Sequence, residues 1–261
     1  MRVTIGSASL TQSFLRAAVA VWAIMVLWPA GYARAEMLVS IELVLAVDTS
    51  LSVDDVEFDL QMTGIAKAFR NPEIIDLIGQ QTGVAVTLFQ WNEEVDKLHM
   101  IPWHLLNDPD SILSFAAKVE ALGRNPDRKF TDIGKAIEFG VRLITENQFA
   151  GRQLKIDISG DGRDNIGSLP SASRQLARSL GIVINGLPIL INTYTYNLDH
   201  YYRDKVISGP DAFLEIALDY NDFSRAFLRK LRREITPSIS QRDPTPRPPV
   251  QQAHAGWRGA R

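Results

Sequence analysis

The sequence predicts an α/β protein in which a mainly parallel central sheet, with one antiparallel edge strand, carries helices on both faces. Apolar, β-branched runs alternate with helical patterns along the chain, and this alternation is typical of strands joined by right-handed helical crossovers. The first apolar run is nearly continuous, as expected of a strand that is buried on both faces. Polar residues follow these runs directly, at the sheet edge where open α/β sheets bind ligands.

Five apolar runs have the length and composition of strands. The first is broken only by Ser40 and Glu42, which predicts a strand in the middle of a parallel sheet. The third run follows the second across a short polar turn, so we expect it to be the antiparallel partner of the second. The predicted strands span residues 38–47, 84–91, 94–103, 153–159 and 182–191.

Helical periodicity fills the segments between and after the strands. Asp54 and Asp55 lie where acidic residues favour the start of a helix, and that pattern ends before Pro72. Gly181 suits the position just beyond a helix C terminus. The predicted helices span about residues 54–70, 109–119, 131–144, 171–180 and 220–235.

The last predicted helix carries a cluster of basic side chains. We interpret them as a solvated face that also suits the dipole at the helix C terminus, and an anionic surface as partner is the alternative. These residues are Arg225, Arg229, Lys230, Arg232 and Arg233.

The N-terminal segment, residues 1–35, has the pattern of a secretory signal peptide. A basic start precedes an apolar run, and the small-residue triplet Ala33-Arg34-Ala35 ends the segment. The run is shorter than the roughly 20 residues that a membrane span needs. A cleaved signal is therefore favoured over a retained membrane anchor, which predicts a periplasmic or secreted protein without an integral membrane segment after cleavage.

The remaining chain is predicted to form one globular domain, residues 36–236, followed by a tail. Residues 237–261 are rich in proline, which predicts disorder. The net charge is −2, so the basic face that nucleic-acid binding requires is not indicated. The chain has no cysteine, which excludes thiolate metal sites and cysteine nucleophiles.

Oxygen-bearing side chains follow two of the predicted strands and begin one helix. Asp48, Ser50 and Ser52 come directly after the first strand, with alternate residues carrying a carboxylate and two hydroxyls. Thr131 begins a helix, and Asp161 ends a later strand. Two carboxylates and three hydroxyls are ligands that a hard cation such as Mg²⁺ or Mn²⁺ accepts. Helix caps and turns are the alternative interpretation of the same residues.

This pattern resembles the metal-ion-dependent adhesion site of von Willebrand factor A (vWA) domains. The resemblance rests on Asp48-x-Ser50-x-Ser52, Thr131 and Asp161-Gly162, and the order of elements fits that Rossmann-like fold from about residue 40 to 235. A closer similarity, to an exported bacterial vWA-like family of unknown function, rests on residues 156–162, 184–189 and 209–213.

The resemblance implies specific roles for the five residues. Ser50, Ser52 and Thr131 would touch the metal directly or nearly so. Asp48 and Asp161 would bind it directly or through water, which leaves one coordination position open for a carboxylate of a ligand. Leu51 stands where a glycine is common, although that position is not a ligand. Ser159-Gly160 stand where many such domains have an apolar residue and threonine, which implies a different geometry at the end of the strand.

The favoured hypothesis is a protein-binding module, not an enzyme, that grips an Asp or Glu carboxylate of a partner protein through the cation. A metal-dependent hydrolase is one alternative, with Asp132 or Asp164 as base. An envelope assembly scaffold with a structural metal is the other. No P-loop, dinucleotide fingerprint or nucleophile elbow is present in the sequence.

Overall fold

The structure is a computed structural model that describes residues 36–127, 129–166, 170–191 and 197–236, and only the backbone of Asp96. The predicted signal peptide and the predicted tail, residues 1–35 and 237–261, lie outside the described residues. The division into these three parts therefore stays a prediction. Within the described ranges, no helix combines the length and the apolar character needed to cross a bilayer.

Five strands form one central sheet. They are β1 (Met37–Asp48), β2 (Val84–Trp91), β3 (Val95–Leu106), β4 (Phe149–Gly160) and β5 (Ile182–Pro188). Their order across the sheet is β3-β2-β1-β4-β5. All neighbouring pairs are parallel except β2 and β3, which are antiparallel. The predicted mainly parallel sheet with one antiparallel edge strand is confirmed.

Seven helices surround this sheet in the described part of the chain. They are α1 (Asp55–Phe69), α2 (Pro72–Gly79), α3 (Pro109–Ala121), α4 (Ile133–Thr145), α5 (Ser171–Ser179), α6 (Leu198–Tyr201) and α7 (Phe223–Ile235). A π-helical turn, Tyr202–Val206, continues α6.

The helices α2 and α6 and the π-helical turn lie outside the predicted elements. The predicted helix that precedes Pro72 ends there as expected. In the structure Pro72 itself begins α2, because its fixed φ suits the first helical turn and the side chain of Asn71 accepts a hydrogen bond from the Glu73 N–H at 2.9 Å.

The core has two large apolar clusters, one on each face of the sheet, and a small third cluster of Val39, Ala85 and Phe149. Leu43 and Leu45 of β1 point into the cluster that α1, α2, α3 and α7 cover. Val44 and Ala46 point into the opposite cluster, which α4, α5 and the π-helical turn cover. Alternate side chains of one strand are thus buried on opposite faces, as the nearly continuous apolar run of β1 predicted.

The interpretation of the basic residues of the last helix is wrong for Lys230. The four arginines are exposed, but Lys230 is fully buried. It lies on the helix face that also buries Phe223, Phe227 and Leu231, because residues three and four apart share a face. A buried lysine needs charged partners, and this one contacts the carboxylates of Asp157 and Glu234.

Candidate metal site

The five residues of the predicted site meet at the carboxyl end of the sheet, beside β1 and β4. The chain adds β2 and β3 on one side of β1 and β4 and β5 on the other, so the strand order reverses between β1 and β4. Val47 of β1 is paired with Ser159 of β4, which places Asp48 next to the end of β4. Ligands of open α/β sheets bind at such reversal points.

Asp48 is fully buried, and its two carboxylate oxygens have different surroundings. Oδ1 accepts a hydrogen bond from the Ser50 N–H at 2.7 Å, whereas Oδ2 has no hydrogen-bond partner among the described residues. Burial, and secondly the negative charge of Asp161, raises the pKa of Asp48 to about 8. The side chain of Gln61 donates to the Asp48 carbonyl at 3.2 Å and fixes the backbone here.

Asp161 connects the hydroxyls of the first loop to the end of β4. The Ser52 hydroxyl donates to Oδ1 of Asp161 at 2.7 Å, and the hydroxyls of Ser52 and Ser50 are 3.3 Å apart. The Tyr220 hydroxyl donates to Oδ2 of Asp161 at 3.0 Å. Burial raises the pKa of the Asp161 carboxyl, and the hydrogen bonds from Ser52 and Tyr220 partly offset this effect.

Thr131 is buried beside these residues, although it does not begin the helix as predicted. The helix α4 begins at Ile133, and the side chain of Asp132 caps it by accepting from the Lys135 N–H at 2.8 Å. A Cβ added to Gly162 would lie 3.6 Å from the Thr131 hydroxyl oxygen. The hydroxyl therefore lies against the residue that follows Asp161.

Two residues of the next loop hold this segment in place. The side chain of Asn165 accepts from the Thr131 N–H at 2.8 Å, and the Asn165 N–H donates to the Thr131 carbonyl at 3.1 Å. Asp164 accepts from the Ile133 N–H at 3.1 Å. Asp132 and Asp164, the two residues considered as possible bases, thus both accept backbone hydrogen bonds at the start of α4.

The arrangement fits a divalent cation. Two buried carboxyls repel each other and lose hydration, and a cation between them would offset both costs. The unpartnered oxygen of Asp48 is a free ligand atom for it. No group of three or more His, Cys, Asp or Glu that could hold a metal occurs within the described ranges. The hydroxyls of Ser50, Ser52 and Thr131 would therefore supply the remaining protein ligands.

Gly160 keeps the space beside Asp48 open. A Cβ at this position would lie 2.7 Å from Oδ2 of Asp48 and 2.8 Å from the Tyr202 hydroxyl oxygen. The departure from the vWA pattern at this position therefore makes room for a tyrosine whose hydroxyl has no partner among the described residues.

A comparison with models of protein families shows to which family the chain belongs. A family model described as "Protein of unknown function (DUF1194)" matches residues 38–239. The chain belongs to this family. No curated protein matches the sequence.

Solved structures with a similar fold include a von Willebrand factor type A protein. The DUF1194 chain is 13% identical to proximal thread matrix protein 1 of the mussel byssus, solved with a zinc-occupied MIDAS motif, with a TM-score of 0.51 over 76% of this chain and 48% of that chain. The chain is 12% identical to the pilus adhesin SpaC of Lactobacillus rhamnosus GG, with a TM-score of 0.55 over 75% of this chain and 30% of that chain. It is 13% identical to a von Willebrand factor type A protein of Catenulispora acidiphila, with a TM-score of 0.53 over 75% of this chain and 42% of that chain.

The DUF1194 chain thus spans about half or less of the length of these proteins. At such low identity the likeness establishes the fold, which is vWA-like, as the resemblance implied.

Gln61, Tyr202 and Tyr220 lie at the site of this DUF1194 chain but were absent from the sequence prediction. None belongs to the motif of the metal-ion-dependent adhesion site. Tyr202 and Tyr220 come from segments far along the chain from the residues beside them, whereas Gln61 follows Asp48 by 13 residues. Gln61 gave the best available signal, because a glutamine on the apolar face of a predicted helix needs a buried partner. The sequence carries no comparable signal for the two tyrosines.

Replacing Tyr220 with phenylalanine should weaken Mg²⁺ binding by about tenfold, because groups that orient metal ligands contribute 10- to 100-fold to affinity. The change removes only the hydroxyl that donates to Asp161. Calorimetric titration measures the effect, with Tyr201→Phe as the matched control, since that hydroxyl contacts the Asp164 N–H instead. Equal affinity of both variants would show that Tyr220 does not orient Asp161.

Proposed function

We propose that this protein is an exported binding module that holds one divalent cation, Mg²⁺ or Mn²⁺, and grips a carboxylate of a partner protein through it. The observation that carries the proposal is the meeting of two buried carboxyls, with Oδ2 of Asp48 unpartnered, at the reversal point of the sheet. A buried polar atom of this kind requires a partner. A cation held by oxygen ligands supplies it.

Each of the five residues has a defined part in this proposal. Asp48 offers Oδ2, while its other oxygen stays fixed by the Ser50 N–H. Asp161 supplies the second negative charge. The hydroxyl oxygens of Ser50, Ser52 and Thr131 have lone pairs that can face the cation. The two carboxylates balance the charge of a divalent cation, and the coordination position that the set leaves open can take an acidic group of a partner.

Exposed apolar side chains border the site, and we call Leu51, Phe130 and Ile166 the apolar rim. Leu51 and Phe130 are each 57% exposed, and Ile166 is 39% exposed. The Leu51 N–H donates to the carbonyl of the residue before Phe130, at 2.9 Å, and Ile166 follows Asn165, which is bonded to Thr131. Exposed apolar surface around a polar centre is characteristic of protein-binding sites.

The structural neighbours support a binding role over other uses of the fold. They include a pilus adhesin and a byssus matrix protein with zinc in its MIDAS motif. The pattern of residues 1–35 supports export, so the partner would be met in the periplasm or outside the cell.

Selection of random peptides displayed on phage tests the function. We expect elution with EDTA from the Mg²⁺-loaded protein to release peptides that carry Asp or Glu next to apolar residues. Phe130→Ala should weaken the binding of such a peptide by about tenfold, because aromatic side chains are frequent hot spots, and leave Mg²⁺ affinity unchanged. Leu113→Ala, which removes an exposed apolar side chain of α3, is the control. Selected peptides that stay bound to the protein in EDTA would contradict the proposal.

A further inference from the structure

A second group of reactive side chains lies between α7 and the sheet. We call Asp157, Asn185, Lys230 and Glu234 the α7 cluster. All four are at most 2% exposed. Asp157 and Asn185 are register neighbours on β4 and β5, and Lys230 and Glu234 are one helical turn apart on α7. The cluster thus places an amine, a carboxamide and two carboxyls in an apolar core.

The amine and the carboxamide meet at a single carboxylate oxygen. The Lys230 Nζ lies 2.6 Å from Oε1 of Glu234, and the Asn185 Nδ2 donates to the same oxygen at 2.9 Å. The Lys230 Nζ is also 2.6 Å from Oδ1 of Asp157. The backbone N–H of Phe213 donates to Oδ1 of Asn185 at 3.1 Å.

We propose that Lys230 and Asn185 form an intramolecular isopeptide bond, with Glu234 as the proton carrier. The Nζ of Lys230, as the free amine, attacks Cγ of Asn185, and the charge that develops on Oδ1 faces the Phe213 N–H, which acts as an oxyanion donor. The bond from Cγ to Nδ2 breaks with its electron pair moving to Nδ2. Glu234 takes a proton from Nζ and gives it to Nδ2, so that ammonia leaves. No oxidant or reductant takes part.

Asp157 of the same cluster can accept the proton that the Lys230 ammonium must lose first. Asp157 lies in contact with Nζ, and burial raises the pKa of its carboxyl to about 7, an effect that the charge of Lys230 partly offsets. After the reaction Asp157 holds the proton that the ammonium lost, the new amide keeps one N–H, and one ammonia has left. Fixed geometry replaces the entropy cost of bringing the two groups together.

The bond would tie β5 to the last helix of a chain that has no cysteine. A cross-link between these positions restricts the unfolded chain as a disulfide would. Lys155 is the other lysine of this region, and its Nζ donates to the backbone carbonyl of Glu234. It does not share the carboxylate oxygen with Asn185, so the geometry assigns the bond to Lys230.

Peptide mapping of the purified full chain tests this bond. Trypsin cuts after Arg178, Arg203, Arg229 and Arg232, and a modified Lys230 is no longer cut. We therefore expect residues 179–203 joined to residues 230–232, with a mass lower by one ammonia than the sum of the two peptides. Separate, unmodified peptides would overturn the proposal. A link from Lys155 would overturn the assignment to Lys230.

Glu234→Gln separates the chemistry from mere proximity. The glutamine keeps the size of the side chain but cannot carry the proton, so we expect the linked peptide to be lost while Lys230 and Asn185 remain. Asn185→Ala removes the carbonyl and should give the same result. A linked peptide that persists in Glu234→Gln would show that Glu234 is not the proton carrier.

Discussion

In the chain whose Lys230 amine is free, Lys230→Met should lower the free energy of unfolding by about 3–5 kcal/mol, because removing one partner of a buried ion pair leaves the other charges uncompensated. Here two carboxyls lose their common partner, since Lys230 contacts both Asp157 and Glu234 at 2.6 Å. Methionine fills a similar volume, so the loss reports on charge and bonding more than on packing. Chemical denaturation followed by circular dichroism measures the effect.

Two further variants define the cause of that loss. Lys67→Met, at an exposed position of α1, should change the free energy of unfolding by no more than about 0.5 kcal/mol. Adding Asp157→Asn to Lys230→Met should recover part of the stability, because it removes one of the two unpaired carboxyls. A loss below about 1 kcal/mol for Lys230→Met would contradict the burial of this charge.

Asp48→Asn should abolish saturable Mg²⁺ binding and, in the metal-free protein, raise the free energy of unfolding. Both effects have one cause. The carboxyl of Asp48 is fully buried beside Asp161, so its charge is costly without a cation and essential with one. The neutral amide relieves the cost and removes the ligand. Calorimetric titration and thermal denaturation in EDTA measure the two effects separately.

Excess Mg²⁺ should then reverse the order of stability of the two proteins. At a free concentration 100 times Kd, a ligand that binds only the folded state adds about 2.7 kcal/mol, and only the protein with Asp48 gains it. Asp59→Asn, which changes an exposed carboxyl of α1, should bind Mg²⁺ like the unchanged protein. Equal stabilisation of all three proteins by Mg²⁺ would rule out the site.

Much of the fold could be predicted from the sequence because burial leaves a local signature. Residues 41–48 of β1 are all buried, and the corresponding sequence is apolar at nearly every position. The antiparallel edge strand followed from the short turn before it. The start of α4 was placed at Thr131, two residues early, because Thr131 and Asp132 are both residues that commonly cap a helix.

The sequence by itself determined the vWA-like order of elements. It also predicted the five oxygen-bearing residues of the proposed site, since each follows or precedes an element at a recognisable position. Only the tertiary structure decided which groups surround them. The hydrogen bond from Tyr220 to Asp161 and the burial of Lys230 against Asp157 join segments far apart in the chain. A basic residue on a helix has the same local pattern whether its face meets solvent or a carboxylate of the sheet. Its environment is fixed only when α7 packs on β4 and β5.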